Sequence, residues 1–134
     1  MPVPWVYRPY EQSHEAIYIV DDDEAVADSL KSLLETFGFE VRCYTSGADF
    51  LVDYTRRSAG CLVIDHHMPG MNGLDVVDQL QKRGVGVPTI LISGRLDTNI
   101  RERASRLEVT NVIEKPFAPH RLVDLIRTAL LERN

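Results

Sequence analysis

Four short polar motifs adjoin apolar runs in this sequence, and their residue types suit one kind of chemistry. The acidic run 21–24 (DDDE) follows AIYIV, Asp65 ends CLVID, Ser93 ends PTILIS, and Lys115 follows VTNVIE. Clustered carboxylates repel one another, and a hard divalent cation bound through oxygen atoms offsets that repulsion. A carboxylate beside such a cation can attack phosphorus, while a hydroxyl and an ammonium bind the oxygens of the transferred group. Brought together, these residues would support phosphoryl transfer onto an aspartate.

The elements that would position these motifs alternate regularly along the chain. Strands are predicted at 16–20, 39–45, 61–65, 88–93 and 109–114, and helices at 23–38, 46–54, 73–84, 97–107 and 118–133. Apolar strands that alternate with amphipathic helices indicate an α/β fold, in which helices cover both faces of a parallel sheet. Ligand sites of such sheets lie at the carboxyl ends of the strands, so the four motifs are expected at one edge.

Length and composition narrow the function classes. The chain has 134 residues, which suits one domain with a sizeable core. Its net charge of −5 argues against direct nucleic-acid binding, because phosphate contacts need clustered basic residues. No apolar run approaches a membrane span or a signal peptide. Cys43 and Cys61 show no metal-binding spacing and are interpreted as reduced thiols of a cytoplasmic protein.

Residues 1–15 differ in composition from the rest of the chain. They contain three prolines and the aromatic residues Trp5, Tyr7 and Tyr10. Proline at this density prevents regular structure, so an irregular N-terminal arm is predicted. Two interpretations stay open: a frayed arm, or an ordered arm whose aromatic side chains pack on the domain or on a partner.

The four motifs together identify a family resemblance. IVDDDE, LVIDHHMPGMNG, LISG and EKPF occur in this order, nearly one strand–helix unit apart. They resemble the receiver domain of two-component response regulators over roughly residues 15 to 132. The resemblance implies a chemotaxis-receiver-like, flavodoxin-like domain at 16–133, with a doubly wound five-stranded parallel sheet in the order 2-1-3-4-5. No effector domain is expected after it.

The resemblance also implies a role for each motif position. Asp65 matches the phospho-acceptor, Ser93 the switch hydroxyl and Lys115 the lysine that pairs with the phosphoryl group. Pro116 matches a proline that follows a cis peptide bond. The Mg²⁺ ligands that the resemblance implies are Asp21, Asp22 (the direct ligand of the acidic pair), Asp65 and the backbone carbonyl of His67. Asp23 is interpreted as a helix N-cap.

The expected function follows from this resemblance. A histidine kinase or a histidine phosphotransfer protein would phosphorylate Asp65, and phosphorylation would switch protein–protein contacts. The chain would be no enzyme beyond its own phosphorylation and dephosphorylation. A single-domain response regulator is favoured over the excised receiver of a DNA-binding regulator. A homodimer through the face of helix 4, strand 5 and helix 5, or through the arm, is possible, and no membrane contact is expected.

Several positions depart from the family's pattern. Val112 replaces the aromatic residue that swings inward on phosphorylation, and Glu108 replaces a glycine after the fourth helix, where a left-handed cap without glycine is costly. His66 and His67 are uncommon after the acceptor. They are interpreted as loop side chains that gate water access to Asp65, with a transition-metal site or a general base as the alternative.

Two other function classes were weighed against the receiver. A haloacid dehalogenase-type phosphatase needs Asp-x-Asp-x-Thr/Val at its nucleophile strand and a cap domain, which DDDEA and Asp65-His-His do not supply. A pseudo-receiver that binds proteins without using phosphate agrees with Val112 and Glu108. The intact set of Asp65, Ser93 and Lys115 argues against it.

Overall fold

The structure is a computed structural model that describes residues 15–54, 60–109 and 111–132. The strands are β1 (Ala16–Val20), β2 (Val41–Tyr44), β3 (Gly60–Asp65), β4 (Thr89–Ser93) and β5 (Asn111–Glu114). The helices are α1 (Glu24–Thr36), α2 (Gly47–Asp53), α3 (Gly73–Lys82), α4 (Thr98–Arg106) and α5 (Pro119–Glu132). The predicted alternation of strands and helices is therefore confirmed.

All five strands form one parallel sheet in the order β2-β1-β3-β4-β5, as predicted. The register pairs Asp65 with Ile92 in β4 and Ser93 with Glu114 in β5. The carboxyl ends of β3, β4 and β5 therefore lie side by side. The polar motifs that follow these strands share one edge of the sheet.

Helices cover both faces of the sheet, and each face has its own apolar core. One core joins α1 and α5 to the sheet through residues such as Leu34 and Ile126. The other joins α2, α3 and α4 through residues such as Phe50, Leu80 and Ala104. Successive side chains of a strand point to opposite faces, which is why the interior of β3 is buried throughout. The doubly wound prediction is confirmed.

Three helices end in the same hydrogen-bonded cap, which corrects two predicted strand boundaries. After α1, Gly38 adopts a left-handed conformation (φ 90°), and the N–H of Phe39 donates to the carbonyl of Leu34. After α4, Glu108 adopts a left-handed conformation (φ 61°), and the N–H of Val109 donates to Ala104. These are Schellman caps. Because Phe39 and Val109 complete a helix, neither belongs to the strand predicted to begin at it.

The third such cap follows α3, where Gly84 is left-handed and the N–H of Val85 donates to the carbonyl of Leu80. Glycine supplies the left-handed residue in two of these caps and glutamate in the third. A left-handed conformation costs a residue with a Cβ about 1–2 kcal/mol. The cap after α4 therefore forms despite the cost expected for Glu108 in a left-handed conformation.

The N-terminal arm predicted at 1–15 lies almost wholly outside the described residues, as does the end of the last predicted helix beyond Glu132. Cys43 and Cys61 are free thiols, as expected. Within the described ranges, none of the helices combines the length and the apolar character that crossing a bilayer requires.

Candidate functional site

Three aspartates meet at the carboxyl edge of the sheet. One carboxylate oxygen from each of Asp21, Asp22 and Asp65 lies within 4.8 Å of the others. Asp21 follows β1 and Asp65 ends β3, and these strands are neighbours in the sheet. Asp21 is 3% exposed and Asp65 6%, while Asp22 is open to solvent. The fold thus brings together the three carboxylates that the sequence singled out.

Lys115 completes the charged part of the site. Its Nζ lies 3.5 Å from Oδ1 of Asp65, and its side chain is 38% exposed. Its backbone N–H donates to the carbonyl of Ser93 at 2.9 Å, which fixes the loop after β5 against the end of β4. The peptide bond between Lys115 and Pro116 is cis, as predicted. One ammonium therefore faces the carboxylate of Asp65.

The electrostatics of Asp21 indicate what this cluster would bind. Burial is the main cause that raises the pKa of Asp21, and the nearby Asp65 carboxylate raises it further. The N–H of Asp23 opposes the rise by donating to Oδ1 of Asp21 at 2.9 Å. Three hard oxygen ligands whose negative charge is only partly offset by Lys115 fit a small divalent cation such as Mg²⁺. Among the described residues, no other group of three potential ligands lies so close together.

The neighbouring Asp23 has a different role. Its side chain accepts hydrogen bonds from the N–H groups of Ala25 (3.0 Å) and Val26 (3.3 Å), so it caps α1 as predicted. The acidic run is therefore divided in function. Asp21 and Asp22 contribute to the cluster, and Asp23 begins the helix.

The hydroxyl of Ser93 is wholly buried and has three polar contacts. Oγ lies 2.7 Å from the carbonyl oxygen of Arg95, 3.1 Å from the N–H nitrogen of Arg95 and 2.8 Å from Nε2 of His67. The first two contacts form a local turn after β4. The third reaches Ser93 from the loop that follows Asp65. The sequence predicts a metal-ligating backbone carbonyl and a water-gating side chain for His67, but it does not predict this contact with Ser93.

The loop after Asp65 returns tightly to α3. The carbonyl of His66 accepts from the N–H groups of Met68 and Gly73, both at 3.1 Å. A Cβ on Gly73 would lie 2.9 Å from the carbonyl oxygen of Asp65 and 2.9 Å from a methyl carbon of Leu91. Only a residue without a side chain fits this approach, which holds the first turn of α3 against Asp65.

A capping box and an ion pair secure the other end of that loop. Asn72 accepts from the N–H of Asp75, and Asp75 accepts from the N–H of Asn72, both at 2.9 Å. Arg103 of α4 donates to Asp75 at 2.9 Å. The Asn72 N–H and the Arg103 guanidinium lower the pKa of Asp75. The spacing of Asn72 and Asp75 signals the box in the sequence, but nothing there signals Arg103.

The two histidines lie in different environments. His67 is exposed, whereas His66 is buried, and its Nδ1 has no hydrogen-bond partner within the described residues. Burial lowers the pKa of His66, and the charges of His67 and Arg103 add to this effect. The two rings meet edge to face at 5.1 Å. Of the two side chains, His67 alone is open to solvent.

Val112 lies half-buried in β5, opposite Leu91 of β4, and packs on the core shared with α4. Ile100 and Ala104 are the buried residues of α4, and Leu107 packs partly against the same core. This helix therefore has a small apolar contact with the rest of the domain.

Comparison with known proteins places the chain in a family. The model of the response regulator receiver domain matches residues 17–127. The response regulator protein TodT of Pseudomonas putida is 42% identical over 85% of this chain and 50% of its own length. The transcriptional regulatory protein FixJ of Azorhizobium caulinodans is 35% identical over 85% of this chain and 54% of its own length.

Solved structures agree with the fold. A response regulator receiver protein from Pseudoalteromonas atlantica superposes with a TM-score of 0.80 at 27% identity, covering 89% of this chain and 99% of that one. The chain spans about half the length of the curated relatives it matches. The family match covers most of the sequence and includes every residue of the site described above. The chain belongs to the response regulator receiver domain family of two-component signalling proteins.

Proposed function

We propose that this protein accepts a phosphoryl group on Asp65 from a histidine kinase or a histidine phosphotransfer protein. The observation that carries the proposal is the position of the Asp65 carboxylate, 3.5 Å from the Lys115 ammonium and beside two further carboxylates within 4.8 Å. Membership of the family does not by itself require these three carboxylates and this ammonium. The three carboxylates and the ammonium at one edge of the sheet support the proposal.

Each residue has a defined part in the transfer. A carboxylate oxygen of Asp65 attacks phosphorus, a P–O bond forms, and the P–N bond to the donor's histidine breaks. Lys115 and the hydroxyl of Ser93 are the donors for the phosphoryl oxygens. Asp21, Asp22, Asp65 and the carbonyl of His67 would hold Mg²⁺, which supplies positive charge to the carboxylates and to the transferred group.

The output we propose is a change in protein–protein contacts. Phosphorylation would shift a two-state equilibrium that involves Ser93 and the surface of α4, β5 and α5, and a homodimer through this surface or through the N-terminal arm is one such output. Relatives such as FixJ are named transcriptional regulatory proteins. With a net charge of −5, the domain itself is not proposed to contact nucleic acid. Free thiols agree with action in the cytoplasm.

The test is intact-mass spectrometry after incubation with acetyl phosphate, with and without Mg²⁺. Wild type is expected to gain the mass of one phosphoryl group only when Mg²⁺ is present, and Asp65→Asn is expected to gain none. Asp23→Asn is the matched control, because it changes a neighbouring carboxylate that only caps α1. A mass gain by Asp65→Asn would contradict the proposal. So would the absence of a mass gain in wild type, if wild type also binds neither Mg²⁺ nor beryllofluoride.

A further inference from the structure

The Ser93 hydroxyl already uses all of its hydrogen-bonding capacity. A hydroxyl has one proton to donate and two lone pairs to accept with. The carbonyl oxygen of Arg95, 2.7 Å away, can only accept, so the proton of Oγ is directed there. The N–H of Arg95 then donates to Oγ, and so must Nε2–H of His67. No proton is left for Oγ to donate to a phosphoryl oxygen.

The contact with His67 differs in kind from the two contacts with Arg95. Arg95 uses backbone groups in a local turn, which any residue other than proline would supply at that position. His67 uses its side chain, crosses 26 residues of sequence, and belongs to the loop that immediately follows Asp65. This contact therefore depends on the residue type at position 67. It links the acceptor loop directly to the switch hydroxyl.

We propose that the imidazole of His67 is a positioning group that holds the Ser93 hydroxyl against the Arg95 carbonyl and away from a phosphoryl group on Asp65. An N–H that donates to Oγ polarises the hydroxyl and strengthens the bond that its proton makes to Arg95. To bind the phosphoryl oxygen, Ser93 must leave this arrangement. His67 thereby favours the resting orientation of the hydroxyl. The inference rests on the proposed phosphorylation of Asp65.

The expected effect is moderate, because His67 is exposed although Ser93 is buried. One ordinary hydrogen bond changes an equilibrium roughly 2- to 10-fold. Removal of the imidazole should therefore tighten the binding of a phosphoryl mimic by this factor. Beryllofluoride, a tetrahedral mimic that binds an aspartate carboxylate, is the probe, with Mg²⁺ at saturation.

Three variants distinguish the hydrogen bond from a general structural effect. His67→Ala removes the donor. In His67→Gln the amide nitrogen lies as far along the side chain as Nε2, whereas in His67→Asn it reaches only as far as Nδ1. We expect His67→Ala and His67→Asn to bind beryllofluoride roughly 2- to 10-fold more tightly than wild type. His67→Gln is expected to bind as wild type does.

The same measurement in a Ser93→Ala background completes a double-mutant cycle. There, His67→Ala should change nothing, because the group that it positions is absent. The proposal would be overturned if His67→Ala bound beryllofluoride no more tightly than wild type. It would also be overturned if His67→Ala raised the affinity equally in the Ser93→Ala background, or if His67→Gln bound more tightly than wild type. In those cases wild type still binds beryllofluoride, so the proposed function stands. Failure of wild type to bind beryllofluoride would instead refute the proposed function, and with it this role of His67.

Discussion

Replacing Asp21 with asparagine is expected to stabilise the metal-free protein while it abolishes most of the response to Mg²⁺. Asp21 is 3% exposed, and a carboxylate oxygen of Asp65 lies within 4.8 Å of its own. Burial and this neighbour raise its pKa, so the folded protein disfavours the ionised form that dominates at neutral pH. A raised carboxyl pKa reduces stability above the unfolded value. Removing the charge should therefore increase the free energy of unfolding.

The size of the effect follows from the separation of the charges. Two unit charges 4.8 Å apart repel by about 3.5 kcal/mol at an effective dielectric constant of about 20. Lys115, 3.5 Å from Asp65, reduces the net negative charge, and the exposed Asp22 keeps the cluster open to water. A net destabilisation of about 1–2 kcal/mol by the Asp21 charge should remain. Asparagine keeps an oxygen that can accept from the N–H of Asp23, so this hydrogen bond survives.

The assay is urea unfolding followed by circular dichroism at neutral pH, first in EDTA and then in saturating Mg²⁺. In EDTA, the midpoint of Asp21→Asn should rise by roughly 1 M, given an m value of roughly 1–3 kcal/mol/M. Bound Mg²⁺ stabilises the folded state by about 2.7 kcal/mol at a hundred times its dissociation constant. Mg²⁺ should stabilise wild type by this amount and Asp21→Asn by little. The difference in unfolding midpoint between the two proteins should therefore shrink or reverse in Mg²⁺.

Asp23→Asn is the control for this experiment, because asparagine caps a helix as well as aspartate does. Its stability should change by a few tenths of a kcal/mol, and its response to Mg²⁺ should match that of wild type. The reasoning would be refuted if Asp21→Asn were less stable than wild type in EDTA. It would also be refuted if Mg²⁺ stabilised both proteins equally.

Four further substitutions test the local structure by urea unfolding. Glu108→Gly should stabilise the protein by about 1 kcal/mol, because Glu108 has a φ of 61°. Gly38→Ala should destabilise it by a similar amount, because Gly38 has a φ of 90°; no atom lies near the added methyl group, so a steric clash adds nothing. Changes of the same sign in the two variants would contradict this reasoning. Asn72→Ala should cost about 1 kcal/mol by removing one half of the capping box, and no loss would contradict that role. Gly73→Ala should reduce both stability and phosphorylation, because its methyl group would meet the carbonyl oxygen of Asp65 at 2.9 Å; unchanged phosphorylation would contradict the role of this approach.

The sequence predicted the sheet and the convergence of the site because both depend on local patterns. Each strand is a short apolar run, and Asp65, Ser93 and Lys115 each lie at a strand end, so parallel pairing alone brings them to one edge. The N-caps Asp23 and Ser46 were also predictable, since each side chain bonds within its own helix.

Features that depend on distant partners were not predictable in this way. Phe39 and Val109 look like strand residues, but their N–H groups complete helix caps. The contact between His67 and Ser93 joins residues 26 positions apart, and the bond from Arg103 to Asp75 joins residues 28 positions apart. Side-chain contacts of this kind depend on the packing of α3 and α4 around the sheet. A pattern of apolar residues carries no information about them.

The most direct test of the central claim is to locate the phosphoryl group on the chain. Protein incubated with acetyl phosphate and Mg²⁺ would be treated with borohydride, which reduces an acyl phosphate to an alcohol, and its peptides analysed by tandem mass spectrometry. We expect conversion of Asp65 to homoserine only when Mg²⁺ is present, with Asp21, Asp22 and Asp23 unchanged. Reduction at another carboxylate would contradict the assignment of Asp65 as the acceptor. The absence of any reduced carboxylate, in protein whose mass shows one phosphoryl group, would also contradict it.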